Sequence, residues 1–100
     1  MRLPIVFLAV LSLAVAASAL MPDFVISNCQ VLGAPGVYLL DRDITAAGTC
    51  FTVAADNVVL SCGEHVVTGS GSGTAFDNSA GHDSVSVQNC VFRKFYRGVV

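Results

Sequence analysis

Two stretches of this 100-residue chain share one plan: CFTVAADNVVLSCGEHVVTG at residues 50–69 and AFDNSAGHDSVSVQNCVFRKFYRG at residues 75–98. Each contains a phenylalanine, a polar turn with an aspartate, a short apolar strand, a cysteine and a closing glycine. Phe51 and Phe76 occupy corresponding positions near the starts of the two stretches. A repeat of about 20–30 residues without helical spacing is typical of a solenoid in which each repeat forms one β-coil.

Short apolar runs separated by single polar residues, or by Asn and Gly steps, continue along the rest of the chain. The predicted strands are residues 37–40, 44–45, 51–53, 58–60, 66–67 and 84–88. Period-two alternation places Val58 and Leu60 on the inward face of one coil, and Val85 and Val87 on that of the next. No segment after residue 20 has helical apolar spacing. The chain is therefore predicted to be all-β, with a small β-sandwich as the alternative.

The N-terminal residues 1–19 have the pattern of a secretory signal peptide. Arg2 is followed by an almost wholly apolar stretch at residues 4–17, and positions 17–19 read Ala-Ser-Ala, a small-x-small cleavage boundary. The apolar stretch is shorter than the ~20 residues that a membrane span needs, so an uncleaved anchor is the less favoured alternative. We expect a signal helix that is removed, a mature chain that begins at Leu20, and secretion.

The charge of the mature chain argues against two classes of partner. Without residues 1–19, four basic and seven acidic residues remain, a formal charge of −3. Nucleic acids select clustered cations that replace phosphate counterions. An anionic membrane surface also attracts basic rather than acidic chains. We therefore expect no nucleic-acid partner, and no membrane partner after signal cleavage.

All four cysteines follow the predicted cleavage site: Cys29, Cys50, Cys62 and Cys90. An even number of cysteines in an exported chain favours disulfides. Stacked coils lie ~4.8 Å apart, which suits a disulfide between neighbouring coils. This favours Cys29–Cys50 and Cys62–Cys90, with reduced thiols facing the core as the alternative for the second pair. No C-x-x-C motif is present and the two histidines stand apart, so neither a metal nor a cofactor is expected.

The sequences NVVLSCG at residues 57–63 and VSVQNC at residues 85–90 carry a family resemblance. They resemble right-handed parallel β-helix proteins of the pectin-lyase-like family, especially their carbohydrate-binding and sugar-hydrolase repeats. The resemblance covers residues 29–100 and implies about three β-helix coils after a lead-in segment at residues 20–28. It also implies that Asn89 occupies a tight bend, since asparagine tolerates left-handed backbone angles.

The last residues of the chain suggest a larger protein. In the family's enzymes, the catalytic aspartates or basic residues lie on an exposed sheet, several coils further along. Here the sequence ends on the apolar run at residues 98–100 without a capping segment, and solenoids need caps. We therefore expect an N-terminal piece of a longer chain, with self-association through its open C-terminal coil.

The candidate carbohydrate-binding residues are Arg93, Lys94, Tyr96 and Arg97, the one basic-aromatic cluster of the chain. In such a cluster an aromatic ring stacks on a sugar, and cations pair with the carboxylates of an acidic polysaccharide. A plain polar outer face with Phe95 in the core is the alternative interpretation.

Two further pairs of titratable residues are weaker candidates. Asp41 and Asp43 are two carboxylates that would share one face of a strand, as the acid/base pair of a glycosidase could. A solvated bend around Arg42 is the favoured interpretation. His65 and His82 titrate near neutrality. Their separation in the sequence is less than one coil, so nothing aligns them and ordinary turn positions are favoured.

No nucleophile elbow, metalloprotease, phosphate-loop or dinucleotide motif is present. The sequence favours a secreted β-helix segment with a structural or carbohydrate-binding role and no catalytic site. One alternative is the N-terminal coils of a polysaccharide lyase or glycoside hydrolase whose active coils lie beyond residue 100. Another is a small disulfide-bonded β-domain that acts on a protein partner.

Overall fold

A computed structural model describes residues 21–100, which form eleven short β-strands and no helix. The predicted signal peptide and its cleavage site lie outside these residues. The strands are β1 Phe24–Ile26, β2 Gln30–Leu32, β3 Gly36–Leu40, β4 Ile44–Thr45, β5 Phe51–Val53, β6 Val58–Ser61, β7 Val66–Thr68, β8 Thr74–Asp77, β9 Ser86–Gln88, β10 Val91–Arg93 and β11 Arg97–Val99. Across this part of the chain, no helix is long and apolar enough to cross a membrane.

The strands form three parallel sheets, which the chain visits in turn. The first sheet has the order β1-β3-β6-β9, the second β4-β7-β10 and the third β2-β5-β8-β11. Coil 1 consists of β1 and β2, while coils 2, 3 and 4 each contribute one strand to every sheet. All strand pairings are parallel, which confirms the predicted β-solenoid of about three coils and excludes the antiparallel β-sandwich.

The register of the strands reproduces the sequence repeat. Phe51 is the Cα partner of Phe76 in the third sheet, so these two phenylalanines lie one coil apart. Leu60 is the partner of Val87 in the first sheet, across a slightly longer stretch of chain. The coils therefore differ in their number of residues, and the extra residues lie in the corners between strands. The lead-in segment also contributes to the solenoid, because β1 pairs with β3.

Two residues with left-handed backbone angles lie on either side of β9. Ser84 has a φ of 57°, which interrupts extended backbone, so β9 begins at Ser86, two residues later than the alternation predicts. Asn89 follows the strand with a φ of 56°, in the tight bend that the resemblance implies. Asparagine fits there because its short polar side chain tolerates this conformation.

One apolar core runs through the stacked coils. Its buried members are Ile26, Leu32, Tyr38, Leu40, Cys50, Phe51, Val53, Val58, Leu60, Cys62, Val67 and Phe76. The alternation in β5 and β6 directs every second side chain into this core. Val85 and Val87 also pack against it, as predicted. They are only half-buried, because coil 4 has a neighbouring coil on one side alone.

Both predicted disulfides are present. Cys29–Cys50 joins coils 1 and 2 with a Cα–Cα distance of 4.5 Å. Cys62–Cys90 joins coils 3 and 4 with a Cα–Cα distance of 4.7 Å. These distances match the spacing of neighbouring parallel strands, so each bridge fits between stacked coils without displacing them.

The glycine- and serine-rich segment at residues 69–73 is the corner between the second and third sheets in coil 3. The composition of residues 68–74 predicts a flexible loop, yet backbone hydrogen bonds tie the corner to coil 4. The Gly69 N–H donates to the Arg93 carbonyl and the Gly71 N–H to the Lys94 carbonyl, each at 2.7 Å. The corner is therefore part of the stack.

Replacing Gly73 with alanine is expected to lower the free energy of unfolding by about 2–3 kcal/mol. Gly73 has a φ of 77°, where a Cβ is strained, and a Cβ there would collide with the backbone of Gly48 and Thr49 in coil 2. Denaturant titration measures the loss. Gly33→Ala is the matched control, because a Cβ at Gly33 meets nothing within 4 Å. Equal losses in the two variants would contradict this account of the corner.

Candidate functional site

An open groove of about 590 Å³ runs along the outer face of the second sheet. We call it the second-sheet groove. Its lining residues are Ser27, Asn28, Asp43, Ile44, Thr45, Val66, Thr68 and Arg93. They come from all four coils, and most carry hydroxyl, amide, carboxylate or guanidinium groups. The groove is thus a polar surface that extends along the solenoid axis.

Strand alternation explains why these side chains share a face. In β7, Val67 is fully buried, so Val66 and Thr68 on either side of it point outward. Thr68 is the register partner of both Thr45 in β4 and Arg93 in β10. Because neighbouring strands lie ~4.8 Å apart, this row of two hydroxyls and a guanidinium spans about 10 Å.

Arg93 is the cation of the groove. The ion pairs of residues 21–100 are Arg42–Asp41, His65–Asp43 and His82–Asp56. None of these pairs involves Arg93, whose side chain is exposed at the end of β10. Its planar guanidinium is therefore available to bind a carboxylate through two parallel hydrogen bonds.

The four residues of the predicted basic-aromatic cluster lie on different parts of coil 4. Arg93 lines the groove, whereas Lys94 forms the next corner with a φ of 61°. Arg97 begins β11 in the third sheet, with its guanidinium carbon 5.6 Å from the ring centre of Tyr96. Phe95 packs against the core. Of the four candidate residues, Arg93 is the one that lines the groove.

Asp43 is the carboxylate of the groove, and coil 3 holds it in place. Its Oδ1 atom accepts a hydrogen bond from the Val66 N–H at 2.8 Å and lies 3.2 Å from Nδ1 of His65. The Val66 hydrogen bond, followed by the His65 contact, lowers the pKa of Asp43 below its ordinary value. Asp43 is therefore ionised at neutral pH.

Asp41 has different partners and is not part of the groove lining. Its Oδ1 atom accepts hydrogen bonds from Nε of Arg42 at 3.1 Å and from Oγ of Ser27 at 2.9 Å. These bonds, that of Arg42 first, lower the pKa of Asp41 as well. A glycosidase pair needs one carboxyl group that stays protonated as the acid, and the lowered pKa values of Asp41 and Asp43 oppose that role.

The two histidines occupy turns and contact different aspartates. His65 meets Asp43, as described, and Nδ1 of His82 lies 3.2 Å from Oδ1 of Asp56. The same Asp56 atom accepts the N–H of Asp83 at 2.9 Å. Within residues 21–100 no group of three or more His, Cys, Asp or Glu side chains is arranged to hold a metal ion.

Sequence reasoning did not identify the uncharged polar residues of the groove: Ser27, Asn28, Thr45 and Thr68. Their signal in the sequence is weak, because threonine is common on outward strand positions. Only the register of three strands shows that Thr45, Thr68 and Arg93 form one row.

Coil 4 presents the free edges of β9, β10 and β11, each of which has one neighbouring strand in its sheet. Val91 and Val99 are exposed at this coil. Self-association through these edges stays a prediction.

The fold places this chain among the disulfide-bonded parallel β-solenoids. Comparisons with protein families, with curated proteins and with solved structures find no match for it. The pectin-lyase-like resemblance therefore rests on the sequence pattern alone.

Proposed function

We propose that this chain is a secreted β-solenoid that binds an acidic polysaccharide in the second-sheet groove and carries no catalytic site of its own. The observation that carries the proposal is the row of Thr45, Thr68 and Arg93 across three coils. A linear polysaccharide presents hydroxyl and carboxylate groups at regular intervals, and a row of polar side chains at strand spacing is complementary to such a chain.

The charged and hydroxyl groups of the groove have distinct chemical roles in this proposal. Arg93 pairs with a uronate carboxylate, because its guanidinium forms bidentate hydrogen bonds to that group. The hydroxyls of Thr45, Thr68 and Ser27 exchange hydrogen bonds with sugar hydroxyls. Asp43 accepts a hydrogen bond from a sugar hydroxyl and repels a second carboxylate, which sets the polarity of the bound chain.

The two disulfides support the secreted part of the proposal. Such bonds form and persist in oxidising compartments and are rare in the cytosol. The signal-peptide pattern at residues 1–19 favours the same location. An acidic polysaccharide of a cell wall or extracellular matrix is a ligand that a secreted protein meets.

Replacing Arg93 with glutamine is expected to weaken binding of polygalacturonate by about tenfold or more, since a hydrogen-bonded charge is worth about 1.5–3 kcal/mol. Isothermal titration calorimetry with polygalacturonate oligomers measures the change. A neutral galactan of similar length should bind the unmodified protein more weakly, because it lacks the carboxylate partner of Arg93.

Arg97→Gln and Arg42→Gln are the matched controls, because each removes one positive charge outside the groove lining. Both should bind polygalacturonate with nearly unchanged affinity. An equal loss in the Arg97 variant would assign binding to the third-sheet face of coil 4. Absence of binding to any acidic polysaccharide would contradict the proposal.

The second candidate function is cleavage of the polysaccharide by this chain itself. The observation that favours it is the contact of Asp43, a groove residue, with His65. Incubation with polygalacturonate, followed by ultraviolet detection of unsaturated products and by reducing-end assay, separates the two functions. Binding without cleavage is expected, whereas cleavage that Asp43→Asn abolishes would establish the enzymatic alternative.

A further inference from the structure

The two disulfides leave one junction of the solenoid without a covalent bridge. Cys29–Cys50 joins coil 1 to coil 2, and Cys62–Cys90 joins coil 3 to coil 4. The chain therefore consists of two cross-linked halves. We call the junction between coils 2 and 3 the seam.

Two side-chain arrangements of the same kind bridge the seam. The carboxylate of Asp43, in coil 2, accepts a hydrogen bond from the backbone N–H of Val66 in coil 3. It also contacts Nδ1 of His65, the residue before Val66. At another corner, the carboxylate of Asp56, in coil 2, accepts a hydrogen bond from the backbone N–H of Asp83. It also contacts Nδ1 of His82, the residue before Asp83. In both, one carboxylate oxygen of coil 2 holds a histidine and the next backbone N–H of coil 3. We call each arrangement an Asp–His clip.

The charged groups near the clips are few. Arg93 shares the second-sheet groove with Asp43. Glu64 precedes His65, and Asp83 follows His82 in the sequence. The nearby Asp41 and Arg42 pair with each other. The carboxylate of each clip is therefore the group whose protonation the proposal concerns.

We propose that the seam is an acid-sensitive joint: three strand pairings and the shared core hold it, the carboxylates of Asp43 and Asp56 reinforce it, and their protonation loosens it locally while the two disulfide-bonded halves stay folded. A protonated carboxyl group is a weaker acceptor for the backbone N–H and loses its ionic attraction to an imidazolium. Both clips lie on one seam, so acid weakens them together. The joint stands apart from polysaccharide binding and does not depend on it.

The direction of the pH dependence follows from the two carboxylates. Hydrogen bonds from Val66 and Asp83, and then from the histidines, lower the pKa values of Asp43 and Asp56 below the ordinary 3.8. Their contribution to stability is thus complete above the ordinary pKa and is lost as the pH falls through the lowered values.

Amide hydrogen exchange read by NMR tests the joint in the full chain, at about pH 6 and about pH 2, well below the ordinary carboxyl pKa. The reporters are the Val66 and Asp83 amides, which donate to the clips. The controls are the Ala54 and Cys62 amides, which donate to backbone carbonyls across the two disulfide-bridged junctions. After correction for intrinsic exchange, the reporters should lose protection severalfold more than the controls at the lower pH.

A double variant, D43N/D56N, keeps an acceptor oxygen in each clip but removes its titration. Its reporter amides should show the same protection at both pH values. D77N is the matched control, because the pKa of Asp77 is also lowered, but by Ser79 within its own turn. D77N should retain the acid loss at the reporters.

Two results would overturn the proposal. One is a parallel loss of protection at all four amides in the unmodified protein, which would mean that acid unfolds the solenoid as a whole. The other is an undiminished acid loss at the reporters in D43N/D56N. If that variant does not fold, the comparison of reporters and controls in the unmodified protein decides the question alone.

Discussion

Replacing Phe51 with alanine is expected to lower the free energy of unfolding by about 3–5 kcal/mol. Phe51 is 0% exposed and lies between Gln30 of coil 1 and Phe76 of coil 3 in the third sheet. The parallel strands on both sides fix the backbone, so the cavity cannot collapse. Domains of this size have total stabilities of about 5–15 kcal/mol, and the loss removes a large share of that.

Val31→Ala is the matched control for this prediction. Val31 lies in β2, the strand that pairs with β5, but its side chain is 61% exposed. We expect this variant to lose at most about 1 kcal/mol. Urea denaturation followed by circular dichroism measures both variants. A Phe51 variant as stable as the Val31 variant would mean that the stacked coils do not share a continuous core.

Removing the Cys62–Cys90 disulfide in a C62A/C90A variant is expected to cost about 3.5 kcal/mol, on the basis of its loop length. The bridge closes a sequence separation of 28 and holds coil 4 against coil 3. Coil 4 needs this restraint because its inward residues Val85 and Val87 are only half-buried. For a chain of this size, the melting temperature should fall by roughly 15–25 °C.

Reduction of the unmodified protein provides an independent measurement of the same effect. A reductant opens both disulfides, so the melting temperature should fall further than in C62A/C90A. The alanine variant should remain sensitive to reductant through Cys29–Cys50. A melting temperature that is insensitive to reductant would show that the bridges do not stabilise the native coils.

Six of the eleven strands, and the stacking of the coils, could be predicted from the sequence because they depend on local patterns. Alternation along residues 51–53 and 58–60 defines the inward faces of β5 and β6 without knowledge of the neighbours. The spacing of Phe51 and Phe76 corresponds to one coil and predicts their pairing. Strand ends are less predictable, since Ser84 shortens β9 through its backbone conformation.

The groove could be predicted only in part. Arg93 belongs to a visible basic-aromatic cluster, but Tyr96 and Arg97 lie beyond a corner and outside the groove lining. A corner between two sheets turns the chain to another face within two or three residues. Proximity in sequence is therefore a poor guide to a shared surface in a solenoid.

The sequence by itself indicated the class of fold and the inward faces of the strands it predicted, and it favoured both disulfide pairings, because these follow from period-two alternation and separations near one coil length. Only the tertiary structure decided which polar side chains meet. His65 and His82 are separated by less than one coil, whereas their aspartate partners lie 22 and 26 residues before them. Those two separations differ because each corner has its own length, so corner residues find their partners only once the coils are stacked.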